Sequence, residues 1–181
     1  MPDDFSVTLN QGKGMRSTGS TSLLITLAVS STFAVAAPDN QVAQRKDITL
    51  ALANNLASAS LAACHLEGRS GVVAVVDRGG NLVAVQRDDN VGPHNTLAAQ
   101  RKAFTALSTK TPTRLLAERA RSTADAENLN TVPELLLLGG GVPLLVEGEV
   151  IGAIGVAGAG GAAFDEGCAL TAISKILTAT H

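Results

Sequence analysis

The chain has 181 residues, 45% of them hydrophobic and 17% charged, with a formal net charge of −2. That length suits one domain with a full core, and the composition is that of a folded chain and not a disordered one. With 14 Lys and Arg against 16 Asp and Glu, and aromatics at 2%, it lacks the basic footprint and stacking rings of a nucleic-acid surface.

The N-terminus reads differently from the rest. Met15-Arg16 precedes the apolar run Leu23–Val29, and the small-residue stretch Ala34-Val35-Ala36-Ala37 follows. A positive start, a short apolar run and an A-x-A exit describe a secretory signal peptide. The expectation is a leader over residues 1–37, with translation starting at Met15, and a mature single domain over 38–181, periplasmic or secreted. Ser30, Ser31 and Thr32 break the apolar run, which is too short for a good membrane span, so no membrane association is expected of the mature form. The alternative is a weak N-terminal helix or anchor.

Ile48, Leu52, Leu56, Ala59 and Ala63 recur at helical spacing, with Asp47 as the expected N-cap and an end near Gly68. Val72–Asp77 and Asn81–Arg87 are β-branched runs joined by Arg78-Gly79-Gly80, a hairpin whose turn Asp77 holds through side-chain bonds. A polar loop, Asp88–His94, leads to a second helix over Asn95–Ser108 with Leu97, Phe104 and Leu107 inward. Thr111-Pro112 opens a third helix. Residues 122–133 read as loop and Leu135–Leu138 as a short apolar strand.

The glycine triplet Gly139-Gly140-Gly141 then enters two strands that meet across Glu147-Gly148, a hairpin with glycine in the turn. Gly152, Gly155 and Gly158 thin the second strand, as expected where a backbone or ligand comes close. Phe164-Asp165-Glu166 begins the last helix, with Leu170, Ile173 and Leu177 facing the core. The expected fold is α+β, a three-layer α/β/α arrangement with a five-stranded, largely antiparallel sheet and helices on both faces.

Cys64 and Cys168 sit beside the apolar stripes of the first and last helices. In an oxidising compartment they could pair; buried free thiols acting as small hydrophobes are the alternative. The glycine triplet lacks the spacing and lysine of a phosphate loop and enters a strand instead of a helix. There is no G-x-S-x-G or H-E-x-x-H, and no enzyme class is signed by these residues.

One combination is specific as a set: Ala74-Val75-Val76-Asp77-Arg78-Gly79-Gly80-Asn81-Leu82-Val83-Ala84, Lys102-Ala103-Phe104-Thr105-Ala106, Pro112-Thr113, and the glycine-rich stretch from Gly139 to Gly158 closed by Asp165-Glu166. Over about 48–177 it resembles the GlcG/HbpS-type family of small heme-binding proteins. The resemblance implies a profilin-like fold, homo-oligomeric assembly, and a heme or corrinoid-related role, with a sensor or transporter as a further partner.

His94, on a loop shaped by Gly92-Pro93, is the candidate axial ligand for heme iron, imidazole being a standard ligand. Arg101 and Lys102, one to two helical turns on, are the candidate partners of a heme propionate. The alternative makes His94 a solvated loop residue and the two cations ordinary surface charges. Some relatives use a threonine, which keeps Thr111 and Thr113 as candidate ligands. Beyond residue 37 the aromatic residues are Phe104 and Phe164, which favours a shallow or subunit-shared site. The function expected is non-catalytic heme capture, buffering or sensing. The alternatives are an enzyme or accessory of glycolate- or corrinoid-type metabolism, or a module binding another small apolar ligand.

Overall fold

Alternation in one strand sets up both layers of the core. In β1 (Val72–Asp77), Val73 and Val75 join one apolar cluster, while Val72, Ala74 and Val76 belong to clusters on the opposite face. That is the two-residue period of a strand covered on both sides. A computed structural model of the chain describes residues 42–178, so the expected leader and His181 lie outside the described residues.

The elements run α1 (Leu50–Leu66), β1, β2 (Leu82–Arg87), α2 (His94–Thr109), α3 (Thr113–Ser122), α4 (Ala124–Glu127), a 3₁₀ turn (Asn128–Thr131), β3 (Gly141–Val146), β4 (Glu149–Ala157) and α5 (Ala162–Leu177). The strands form one antiparallel sheet in the order β2-β1-β4-β3. Leu56, Ala57, Leu61 and Cys64 of α1, with Cys168, Ala169 and Leu177 of α5, pack on the face carrying Val73, Val75, Leu144, Ile154 and Val156. Ala99, Ala103 and Ala106 of α2 cover the other face, against Val72, Ala74, Val76, Ala153 and Ala157. Each fully buried Val or Leu contributes about 1.5–3 kcal/mol. Among the described residues no helix is long and apolar enough to cross a membrane.

Small residues let α2 lie unusually low on the sheet. A Cβ at Gly155 would overlap the Ala99 carbonyl oxygen, and one at Gly141 would overlap that of Lys102. Gly155 and Gly141 thus admit the backbone of α2, while Gly152 admits that of β1, where a Cβ would overlap the Val76 carbonyl. The β3–β4 turn is as the sequence predicts, with Glu147 (φ 51°) and Gly148 (φ 78°) both left-handed, the pairing that matches strand twist. Asp77 holds the β1–β2 turn by accepting from the Asn81 backbone at 2.8 Å.

Several expectations are corrected. The sheet has four strands among the described residues and not five, because Leu135–Leu138 finds side-chain partners in place of a neighbouring strand. Leu136 N donates to Thr105 Oγ1 at 2.8 Å, Leu135 O accepts from Arg101 and Leu138 O from Thr113. The segment read as loop holds α4 and the 3₁₀ turn. Leu97 and Leu170 are 60% and 47% exposed, since the buried stripes of α2 and α5 run along alanines instead.

The caps also shift. Thr49, not Asp47, caps α1 by accepting from Leu52 N at 3.2 Å. Asp47 accepts from Ile48 N and Arg78 N, tying the approach of α1 to the first hairpin. Pro93 and Pro112 stand at the N-caps of α2 and α3.

Cys64 and Cys168 form a disulfide, Cα atoms 5.2 Å apart, joining α1 to α5.

Candidate functional site

The loop into α2 is held from both sides. Asp88 accepts from Gly71 N at 2.9 Å, and its carboxylate oxygens lie 3.0 and 2.9 Å from His65 Nε2. Arg87 donates to the Val91 carbonyl. His94 emerges as the first residue of α2 with an exposed side chain. Its ring packs over Gly92, where a Cβ would come within 3.0 Å of Cε1. Among the described residues neither ring nitrogen has a hydrogen-bond partner, so the imidazole is available to a ligand.

Spacings of three and four place His94, Leu97, Arg101 and Phe104 on one face of α2. Leu97, Arg101 and Phe104 line an open groove of about 320 Å³, whose other walls are Val76, Gly80 and Leu82 from the first hairpin and Pro133-Glu134. Leu82 is 48% exposed. The groove is a shallow, largely apolar surface carrying the cation of Arg101 and the carboxylate of Glu134.

Arg101 is anchored. Its Nη2 donates to the carbonyls of Pro133 and Leu135, both at 2.7 Å, and its Nε is buried without a partner. Lys102 is not brought to the groove. It is 1% exposed, and its ammonium lies 2.7 Å from Asp165 Oδ2 and 3.0 Å from the Val156 carbonyl. Asp165 also accepts from Ala159 N at 2.8 Å. This aspartate, expected at the start of the last helix, sits inside its first turn and neutralises Lys102.

The two threonines are not brought together with His94. The 16 residues of α2 put about 24 Å between its ends. Thr111 Oγ1 donates to Thr109 O at 2.9 Å. Thr113 is buried; its hydroxyl donates to Leu138 O and accepts from Gly141 N, each at 2.8 Å. That hydroxyl fixes the glycine triplet against α3. Beside it Arg114 bonds Glu166 and reaches Glu118 at 3.0 Å. The hydrogen bond to Glu166, then the charges of Glu166 and Glu118, raise the guanidinium above its ordinary value, so it stays charged.

Sequence reasoning missed Leu82, Pro133 and the outward use of Leu97 and Phe104. The signal was present in the helical stripe that begins at His94. Among the described residues no three His, Cys, Asp or Glu side chains gather to hold a metal ion.

Comparison with known proteins agrees with this architecture. The chain is 38% identical over 109 residues to protein GlcG of Escherichia coli K12, covering 58% of this chain and 80% of that protein. A crystal structure of HbpS superposes with a TM-score of 0.71 at 39% identity, covering 78% of this chain and 99% of the other. A double mutant of HbpS from Streptomyces reticuli gives the same score and identity. A PduOC:heme complex matches with a TM-score of 0.65 at 25% identity, over 72% of this chain and 95% of the other. The model of the family described as haem degrading protein HbpS-like matches residues 48–174, and the chain belongs to that family.

Proposed function

We propose that the mature chain is an exported heme-binding protein that captures, buffers or senses heme on the outer face of α2. The observation that carries this reading is the stripe His94-Leu97-Arg101-Phe104 beside an apolar groove. Leu82, Leu97 and Pro133 offer a macrocycle an apolar wall, and covering them removes exposed hydrophobic surface from water. Heme, once bound, would supply an iron centre that takes a nitrogen ligand; the unpartnered imidazole of His94 would hold it and Arg101 would supply positive charge for a propionate.

Export is part of the proposal, periplasmic or secreted, because the Cys64–Cys168 disulfide suits an oxidising compartment. So is a homo-oligomer, in which exposed Leu138 and Leu145 would meet a second copy.

A second reading, heme degradation, is favoured by the description of the family. Titrating the purified mature chain with hemin tests both. A saturable Soret band that persists under ascorbate and oxygen supports binding alone. Its decay with release of iron supports degradation. The absence of a saturable heme spectrum overturns both.

A further inference from the structure

Toward the C-terminal end of α2, adjoining the groove and sharing Gly80 and Phe104 with it, lies a second cavity of about 590 Å³, well within the size range of small-molecule sites. Arg45, Arg78 and Lys110 line it, with Glu149 as the one carboxylate. Arg78 is partly engaged: Nη1 donates to Val150 O at 3.1 Å and lies 3.4 Å from Glu149 Oε2. Among the described residues, the side chains of Arg45 and Lys110 have no ion-pair or hydrogen-bond partner. Glu149 therefore balances Arg78, and two cations remain uncompensated. The negative end of α2, about half a charge, offsets only part of that excess. Phe104 and Leu107 form an apolar wall, the Phe104 ring packed on Gly80, and Gly148 leaves backbone uncovered. The whole length of α2, about 24 Å, separates Lys110 from His94, so these cations do not belong to the histidine end of the helix.

We propose that this cavity is a second binding site, for a small organic acid with two carboxylates on a flat apolar body. The carboxylates pair with Arg45, Arg78 and Lys110 in charge-assisted bonds, and the body lies on Phe104 and Leu107. The proposal stands on charge balance and cavity shape and does not depend on heme.

Isothermal titration of the mature chain with isophthalate tests it. Saturable binding is expected, weakening as salt is added and weaker still for succinate, which lacks the flat body. The double variant Arg45→Gln/Lys110→Asn should bind isophthalate at least tenfold less tightly while hemin titrates as in the parent. Asparagine suits the left-handed backbone at Lys110, φ 51°. No saturable isophthalate binding, or unchanged affinity in the double variant, overturns the proposal. So does displacement of isophthalate by equimolar inorganic phosphate, since phosphate has no apolar body. A fall in hemin affinity in the double variant overturns it as well, by making the cavity part of the heme surface.

Discussion

The ammonium of Lys102 stands 2.7 Å from Asp165 Oδ2, with side chains only 2% and 5% exposed, so one buried ion pair ties α2 to the first turn of α5. A residue whose sequence position suggests a surface cation is thereby a pin between the two layers of helices. Replacing Lys102 with methionine leaves Asp165 as an uncompensated buried charge, a change that costs about 3–5 kcal/mol. Urea denaturation should show that loss, and the double variant Lys102→Met/Asp165→Leu should recover part of it. A single variant within about 0.5 kcal/mol of the parent, the range of ordinary surface substitutions, would contradict the assignment.

Gly155 should tolerate no side chain. An added Cβ overlaps the Ala99 carbonyl and lies 2.6 Å from Ala103 N, and backbone cannot rotate away as a side chain can. Gly155→Ala should lower stability by about 1–3 kcal/mol or more. The same substitution at Gly167, where a Cβ meets nothing within 4 Å, serves as the control in thermal melts.

Heme ligation separates the histidine from the threonines. His94→Ala should shift or weaken the Soret band of the hemin complex and reduce affinity at least tenfold, about 1.4 kcal/mol, with little change in folding. Thr113→Val should do the opposite. It leaves Gly141 N without its acceptor, costing about 1–3 kcal/mol of stability, and leaves the hemin spectrum unaltered. An unaltered spectrum in His94→Ala with a lost one in Thr111→Ala would move ligation to the other end of α2.

The disulfide closes a separation of 104 residues. In the chain-entropy account a loop near that length contributes about 4.7 kcal/mol. The native protein should show no titratable thiol, and dithiothreitol should lower its denaturation midpoint markedly. A thiol count of two in protein recovered from the periplasm or medium would count against both the pairing and the compartment.

The leader expected from the sequence lies outside the described residues, and its test is chemical. Mass spectrometry of exported protein should find an N-terminus at Ala37 or Pro38. A cytosolic product retaining Met15–Ala36 would refute the export reading.

Much of the architecture was legible because local chemistry specifies it. The β1–β2 and β3–β4 hairpins follow from β-branched runs flanking glycine turns, and the helices follow from apolar spacing. Glycines at 152 and 155 announced a close neighbour without saying which. The fifth strand was not legible as absent. Leu135–Leu138 has strand composition, and only the arrival of Thr105, Arg101 and Thr113 at its backbone decides that it pairs with side chains.

The candidate site divides along the same line. Sequence alone put His94 on the loop just ahead of a helix expected from Asn95, and the structure begins that helix one residue earlier. The spacing of Leu97, Arg101 and Phe104 puts them on one face of it, because helical period is a local property. Tertiary structure decided the rest. It buried Lys102 against Asp165, spent the Thr113 hydroxyl on the glycine triplet, joined Cys64 to Cys168, and gathered Arg45, Arg78 and Lys110 around one cavity. Those outcomes depend on partners 28 to 104 positions apart in the chain, and no local pattern encodes which distant group arrives to satisfy a charge, a hydroxyl or a thiol.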